Sequence, residues 1–278
     1  MNLISILALA IITVMVSCAK TNAPNSIGTA SGCMFDKISN FENRSGPGAM
    51  LEGDFYFYYT GNKLTQLNTT SFTGALNGSF FYAEDKLTRI DLYTPVGGSM
   101  IKTGYLNVSY NGINIAETDF YAIRGGNSTL MEKIVYTYDN NGRRVAKNTT
   151  GQFTSEAGNC VYTYDNLNNI TKIECRDTAN KITDIYELEY NNHVNDLLSY
   201  HPQLDIFGWV FLNENEELED NRRPEDARYF SKYQVVSQKD IYTASNINYQ
   251  YEYDSTGKTV QITSNGDIIK INFQYKCN

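Results

Sequence analysis

The stretch Val161 to Cys175, VYTYDNLNNITKIEC, constrains the whole chain, because close variants of it recur along the sequence. A run of β-formers, a turn cluster over Asp165 to Asn169 and a second run of β-formers make one antiparallel hairpin. With Leu167 and Asn168 as a two-residue loop, Tyr164 faces Thr171, Tyr162 faces Ile173 and Cys160 faces Cys175. Tyr162, Tyr164, Ile173 and both cysteines then share one face, while Val161, Thr163, Asp165, Lys172 and Glu174 share the other. Units of this kind bury one side of a sheet and wet the opposite side.

Near-copies return about every 25 residues, the spacing of a repeat architecture. They are FYFYYTGNKLTQL from Phe55, FFYAEDKLTRIDL from Phe80, a degenerate VSYNGINIA from Val108, VYTYDNNGRRVAK from Val135, a truncated YELEYNNHV from Tyr186 and YQYEYDSTGKTVQI from Tyr249. Looping at Asn141-Gly142 sets Tyr138 against Val145; looping at Thr256-Gly257 sets Tyr253 against Val260 and Tyr251 against Ile262. Asn-Gly is a strong hairpin signal because both central residues of the tight turn take positive φ. Six or seven units of two strands predict an all-β antiparallel meander of about 12 to 14 strands, and sheets wider than about 10 strands curl. A half-barrel or a closed barrel follows, the choice left open. The 22 Tyr and 13 Phe beside one Trp and five Pro fit that fold class.

The first 17 residues carry no charged side chain, and the apolar run from Leu3 to Val16 is shorter than the roughly 20 residues a spanning helix needs. It reads as the apolar region of a secretory signal. Met15-Val16-Ser17-Cys18 resembles a bacterial lipobox, although Met15 stands where Leu is commoner and no Lys or Arg precedes the run. The resemblance implies acylation of the Cys18 thiol and anchoring by several chains, with cleavage nearby or an uncleaved anchor as the rivals. Residues 20–32 are small and polar, the composition of a tether. The expected organisation is a signal over 1–17, lipidated cysteine and tether over 18–32, and one β domain over 33–278 interrupted at 195–238. The lipobox resemblance implies the outer membrane, and because surface-exported lipoproteins often carry an acidic run after the cysteine, its absence after Cys18 leans toward the periplasmic face.

Four cysteines remain, an even number for an oxidising compartment. The hairpin register favours Cys160 with Cys175, which leaves Cys33 with Cys277 to clasp the domain's ends. Zinc and free buried thiols are the alternatives, but no CxxC spacing supports a metal. A net charge of −8 repels phosphate backbones, so nucleic acid is excluded as a partner.

At residues 195–238 the tyrosine hairpins give way to a segment that holds the only Trp. Short helices are expected over Asp196 to Leu204 and Pro224 to Tyr233, with an acidic loop between. Its apolar residues, Leu197, Leu198, Phe207 and Trp209 among them, suit either a plug for the sheet's interior or a binding element. Tyr200, Trp209, Phe211, Tyr229 and Tyr233 depart from the repeat lattice and are the ligand candidates. The acids from Glu214 to Asp220 lack the spacing of a calcium loop and read as a solvated run. His193 and His201 give neither an HExxH motif nor a helical ligand pair, and no GxSxG, phosphate loop or GxGxxG occurs. No catalytic residue, cofactor or metal is therefore assigned. Asp177-Thr178-Ala179 and Asp254-Ser255-Thr256 match a short O-glycosylation pattern, making Thr178 and Ser255 candidate acceptors.

YTYDNNGRR, YTYDNLNN and YEYDSTGK resemble the tyrosine–aspartate repeats of RHS and teneurin-type β-shells. The whole plan, from lipobox and tether to hairpins with one late interruption, resembles a family of Bacteroidota lipoproteins of unassigned function with a porin-like all-β fold. That resemblance spans about residues 50 to 276 and implies architecture, not chemistry. The functional expectation is a non-enzymatic, membrane-anchored binding or structural module of the cell envelope, with a glycan or an envelope protein as candidate partner. Its rivals are a glycan-binding component of polysaccharide uptake and a glycoside hydrolase. A transmembrane barrel fits poorly, because Asp, Glu, Lys and Asn occupy the hairpin face that lipid would touch.

Overall fold

The computed structural model describes residues 33–43, 50–71, 77–152, 158–196, 231–242, 244–265 and 268–277. Its strands are β1 (Cys33–Asn43), β2 (Met50–Thr60), β3 (Lys63–Ser71), β4 (Asn77–Ala83), β5 (Lys86–Val96), β6 (Ser99–Asn111), β7 (Asn114–Arg124), β8 (Asn127–Tyr138), β9 (Arg144–Gly151), β10 (Gly158–Tyr164), β11 (Ile170–Asp177), β12 (Ile182–Val194), β13 (Tyr233–Asp240), β14 (Asn246–Tyr253), β15 (Thr259–Asn265) and β16 (Ile268–Cys277). Each pairs antiparallel with its neighbours in sequence, and β16 returns to β1, closing a 16-stranded barrel. Closure settles the choice the repeats leave open. The repeats account for the strands from β2 to β15, and the two further strands are the chain's own ends, which carry no turn motif to reveal them.

Because the meander is regular, alternate connections fall at opposite ends. The repeat turns after β2, β4, β6, β8, β10 and β14, the interruption after β12, and both Cys33 and Cys277 share one end, here the near end.

The expected two-residue loops of the Asp-containing units are three residues long. Asp165 N–H donates to the Asn169 carbonyl at 2.9 Å and Asn168 N–H returns to the Asp165 carbonyl at 3.3 Å. Asp139 with Gly142, Asp177 with Asn180 and Asp254 with Gly257 repeat that scheme. The cause is the aspartate itself, whose Oδ1 accepts N–H groups two and four residues on: Leu167 and Asn169 at 2.8 Å each, Asn141 and Arg143 at 2.9 Å each. A type I turn then ends in a left-handed residue, Asn168 at φ 69° or Gly142 at φ 77°.

The longer loop moves the register by one. Tyr164 faces Ile170 rather than Thr171, Tyr138 faces Arg144 rather than Val145, and Tyr253 faces Thr259 rather than Val260. The expected pairs Tyr162 with Ile173, Tyr251 with Ile262 and Cys160 with Cys175 are as observed, because a β-bulge at Thr171 or Val260 restores the count. The units without Asp bulge at the same place, after Leu64, Leu87 and Ile115.

The bulge leaves the carbonyl before it outside the regular ladder, and a tyrosine of the next unit takes it up. Tyr82 donates to Leu64 O at 2.9 Å, Tyr164 to Arg144 O at 2.7 Å, Tyr190 to Ile170 O at 2.5 Å, Tyr251 to Val235 O at 2.7 Å and Tyr275 to Thr259 O at 2.8 Å. A cation one residue before that carbonyl stands over the same ring: Lys63 over Tyr82 at 5.6 Å, Lys86 over Tyr110 at 5.3 Å, Arg143 over Tyr164 at 4.9 Å. Each unit is thereby tied to the next by side chains as well as by strands.

Phe35, Ile90, Val235 and Ile262 have no exposed surface, and they belong to one apolar cluster that draws on nearly every strand. In a wall one sheet thick only the inner face can be shielded so fully. The repeat tyrosines pack against this cluster, as the alternation predicts. The outer face carries ion pairs: Lys37 meets Asp54 at 2.8 Å, Asp91 takes Arg89 at 2.6 Å and Lys102 at 2.5 Å, Lys133 meets Glu117 at 2.8 Å, and Glu174 takes Lys172 at 2.9 Å and Arg176 at 2.6 Å. Both expected disulfides are formed, Cys160–Cys175 within a hairpin and Cys33–Cys277 across the closing seam.

Candidate functional site

The repeat breaks at the near end between β12 and β13, and polar groups gather there. Asn191, Asn195, Asp196 and Ser231 stand where the other units place the turn, Gln234 where they place Lys63, Lys86 or Arg143, and Thr259 where they place Leu64, Leu87 or Ile170. The interruption is shorter than expected, for Tyr233 begins β13 and is not the end of a helix. The other ligand candidates, Tyr200, Trp209, Phe211 and Tyr229, and also Cys18, His201 and the acids from Glu214 to Asp220, lie outside the described residues.

Asn195 and Ser231, where the segment leaves and rejoins the wall, are bound to each other: the Asn195 side-chain amide donates to Ser231 O at 3.0 Å and Asn195 N–H to Lys232 O at 2.8 Å. Ser231 is fully buried; its Oγ lies 2.7 Å from the Tyr190 hydroxyl and accepts Ile170 N–H at 3.3 Å. Asp196 grips the opposite hairpin, Oδ1 accepting the Thr259 hydroxyl at 2.6 Å and Oδ2 its N–H at 2.9 Å. Between them Gln234, 1% exposed, donates to Thr259 Oγ1 at 3.1 Å and accepts the Tyr253 hydroxyl at 2.5 Å and the Asn191 amide at 3.2 Å. Tyr233 joins through its N–H, donated to Asn169 Oδ1 at 3.0 Å, and Lys232 stands 5.3 Å over its ring.

Burial holds the Tyr190 and Tyr253 phenols above their usual range, so both are neutral donors. Among the described residues the Ser231 hydroxyl meets the Tyr190 phenol and the Ile170 N–H. His193 is exposed and stacks on Tyr253 with ring centres 5.1 Å apart. The arrangement is suited to holding two chain segments in fixed positions on the barrel mouth. Thr259 is the readable sign of it, a hydroxyl where sister units carry Leu64, Leu87 or Ile170. Gln234 and Asn195 carry none, their side-chain partners lying 19 to 43 residues away in sequence.

A second polar assembly covers the outer wall over β5 to β8. Tyr105 and Tyr121 stack at 4.7 Å and 14°, with Arg89 4.0 Å and Lys102 5.4 Å from the Tyr105 ring centre. Arg89 comes from the β5 side and Tyr121 from the β7 side, so the two faces of Tyr105 are occupied. Beside them Asp119 has its carboxyl raised above the usual range by burial and by Glu117, with Lys133 opposing. Thr178 and Ser255 are exposed in turns at opposite ends of the barrel. Among the described residues no group of three or more His, Cys, Asp or Glu side chains is placed to hold a metal ion.

No family model and no curated protein matches the chain. Among solved structures it is similar to a porin-like protein from Bacteroides uniformis, at 10% identity and a TM-score of 0.41, over 91% of this chain and 100% of that one. A porin-like protein from Bacteroides vulgatus matches at 11% identity and 0.33, over 87% and 98%. The Tc holotoxin pore of Photorhabdus luminescens matches at 8% and 0.23, over 83% of this chain and 14% of that one. At such identities and scores these neighbours carry no argument about function.

Proposed function

We propose that the protein is a lipid-anchored, non-enzymatic binding or structural module of the bacterial envelope, tethered through Cys18 to the periplasmic face of the outer membrane. The observation that carries this reading is the polarity of the barrel. A barrel set in lipid turns an apolar band outward and a polar surface inward. Here the inner face is apolar and buried, and the outer face bears rows of ion pairs. Such a wall belongs in water, and attachment then falls to the residues before Cys33. The tether from Ala19 to Gly32 reaches roughly 50 Å when extended, about 3.5 Å per residue, and joins the wall at its near end.

Membrane fractionation of wild type and Cys18→Ala tests the anchor. Wild type is expected with membranes and the variant in the soluble fraction; a variant that stays with washed membranes would refute the lipid anchor in favour of an uncleaved apolar anchor or an inserted barrel. Binding is tested separately. An envelope-protein partner is favoured over a glycan because, in the Tyr105–Tyr121 stack on the outer wall, both faces of Tyr105 are taken, by Arg89 and Tyr121. Glycan-array binding lost on Tyr121→Ala would reverse that preference. Thr178 and Ser255, both exposed, remain the candidate acceptors for glycosylation, and the intact mass of native protein decides whether either is modified.

A further inference from the structure

We infer that the chain's two ends form an eighth repeat unit in which the Cys33–Cys277 disulfide takes the place of the turn, so that this bond is a redox-sensitive latch on the barrel. The first unit sets the pattern: Tyr59 faces Leu64, Thr60 faces Lys63, and Gly61-Asn62 makes the turn. At the seam Tyr275 faces Phe35, Lys276 faces Met34, and Cys277 faces Cys33. Phe35 is thus the counterpart of Leu64, and the ladder shifts at the next residue, Asp36, as it does after Leu64 at Thr65. The tyrosine rule holds too, since Tyr275 takes the carbonyl of Thr259 in the unit before.

The cation rule identifies the sulfur's role. Lys63 Nζ donates to the carbonyl of Glu84, the first turn residue of the next unit, and Lys86 Nζ to that of Gly112 at 2.6 Å. Lys258, the matching cation before Thr259, stands 5.3 Å over Tyr275 and directs Nζ to Cys277 Sγ at 3.7 Å. Cys277 therefore occupies the first turn position and Cys33 the second. In the other seven units a peptide chain holds the two strands together at or beyond this end, whereas here only the S–S bond does. A dithiol reductant opens it by exchange: one reductant thiolate forms a mixed disulfide with one cysteine sulfur and expels the other as thiolate, and the second reductant thiol then releases the first, becoming oxidised as Cys33 and Cys277 take up two protons. Reduced, β1 and β16 are the one pair free to part while every other pair keeps its connection.

Hydrogen exchange read by mass spectrometry on the folded protein, with and without dithiothreitol, tests the latch. Reduction is expected to speed exchange of β1 and β16 amides at least tenfold and to leave β5 to β8 unchanged, and Cys33→Ser/Cys277→Ser is expected to reproduce this without reductant. Unchanged exchange at the seam, or equal acceleration around the barrel, would overturn the latch. A permutant opened between Gly97 and Gly98, with Cys277→Gly bonded directly to Cys33→Asn, rebuilds the Thr60 to Lys63 turn at the seam. It is expected to restore protection and to be indifferent to reductant there; a permutant whose seam still exchanges rapidly would refute the eighth unit.

Discussion

Tyr82 shows how a single hydroxyl serves this wall. Its ring packs against the core under Lys63, and its O–H satisfies the Leu64 carbonyl that the bulge leaves over. Tyr82→Phe keeps the ring and strands the carbonyl, so a loss of about 1 to 2 kcal/mol in urea unfolding is expected; Tyr58→Phe, whose ring is exposed on the outer wall, is the control and should be neutral. The same residues set the pH limits of the fold. Although burial opposes it, N–H donors hold the Asp139 and Asp165 carboxyls below their ordinary range, and the Thr256 hydroxyl leads the same effect at Asp254. A depressed folded value makes the contribution complete above the unfolded value, near 4, and lost as pH falls through the folded one. In the alkaline arm burial raises the Tyr110 phenol to about 12, opposed by the Leu87 backbone. That stability is complete below the unfolded value near 10 and is lost as pH rises toward 12. Melting temperature against pH should therefore fall on both sides, with Asp165→Asn flattening the acid arm and Tyr110→Phe the alkaline one. Identical profiles for variants and wild type would refute the assignment.

Among the elements, the β12–β13 connection depends most on side chains. Asp196 holds the β15 edge through both its oxygens, and Ser231 and Gln234 hold β11, β12 and β14. Asp196→Ala removes both acceptors from Thr259, so the expected result is faster proteolytic cleavage within residues 197–230 at unchanged global fold by circular dichroism. Cleavage rates equal to wild type would show that these bonds do not secure the segment. The repeats made most of the fold legible. A period of 2 with turn residues at fixed intervals displays strand number, facing and the Cys160–Cys175 pair directly, because hairpin contacts are local. The loop is one residue longer than Asn-Gly alone signals, because an aspartate two residues before it, Asp139, accepts two N–H groups. The interruption was the least legible: Asn195 and Ser231 meet across 36 residues, and Asp196 and Thr259 across 63, distances over which no periodicity speaks.

For the molecule as a whole the decisive fact is closure. An open sheet of this width would present two unpaired edges, and joining β1 to β16 removes both. The ends that meet are 244 residues apart in sequence, so the unfolded chain seldom brings them together, whereas Cys160 and Cys175 are separated by 15. Loop-closure entropy assigns about 5.5 kcal/mol to a cross-link of the first span and about 3 kcal/mol to one of the second. The bonds' positions in the fold work in the same direction: a hairpin already held by its turn gains little from a staple, and a seam with no turn gains much. Cys33→Ser/Cys277→Ser is therefore expected to lower the urea midpoint more than Cys160→Ser/Cys175→Ser, by a free-energy difference of about 2.5 kcal/mol. Equal losses would mean that the ends are already close in the unfolded ensemble, and the ordering reversed would mean that the wall's stability resides in the individual hairpins and not in the ring they complete.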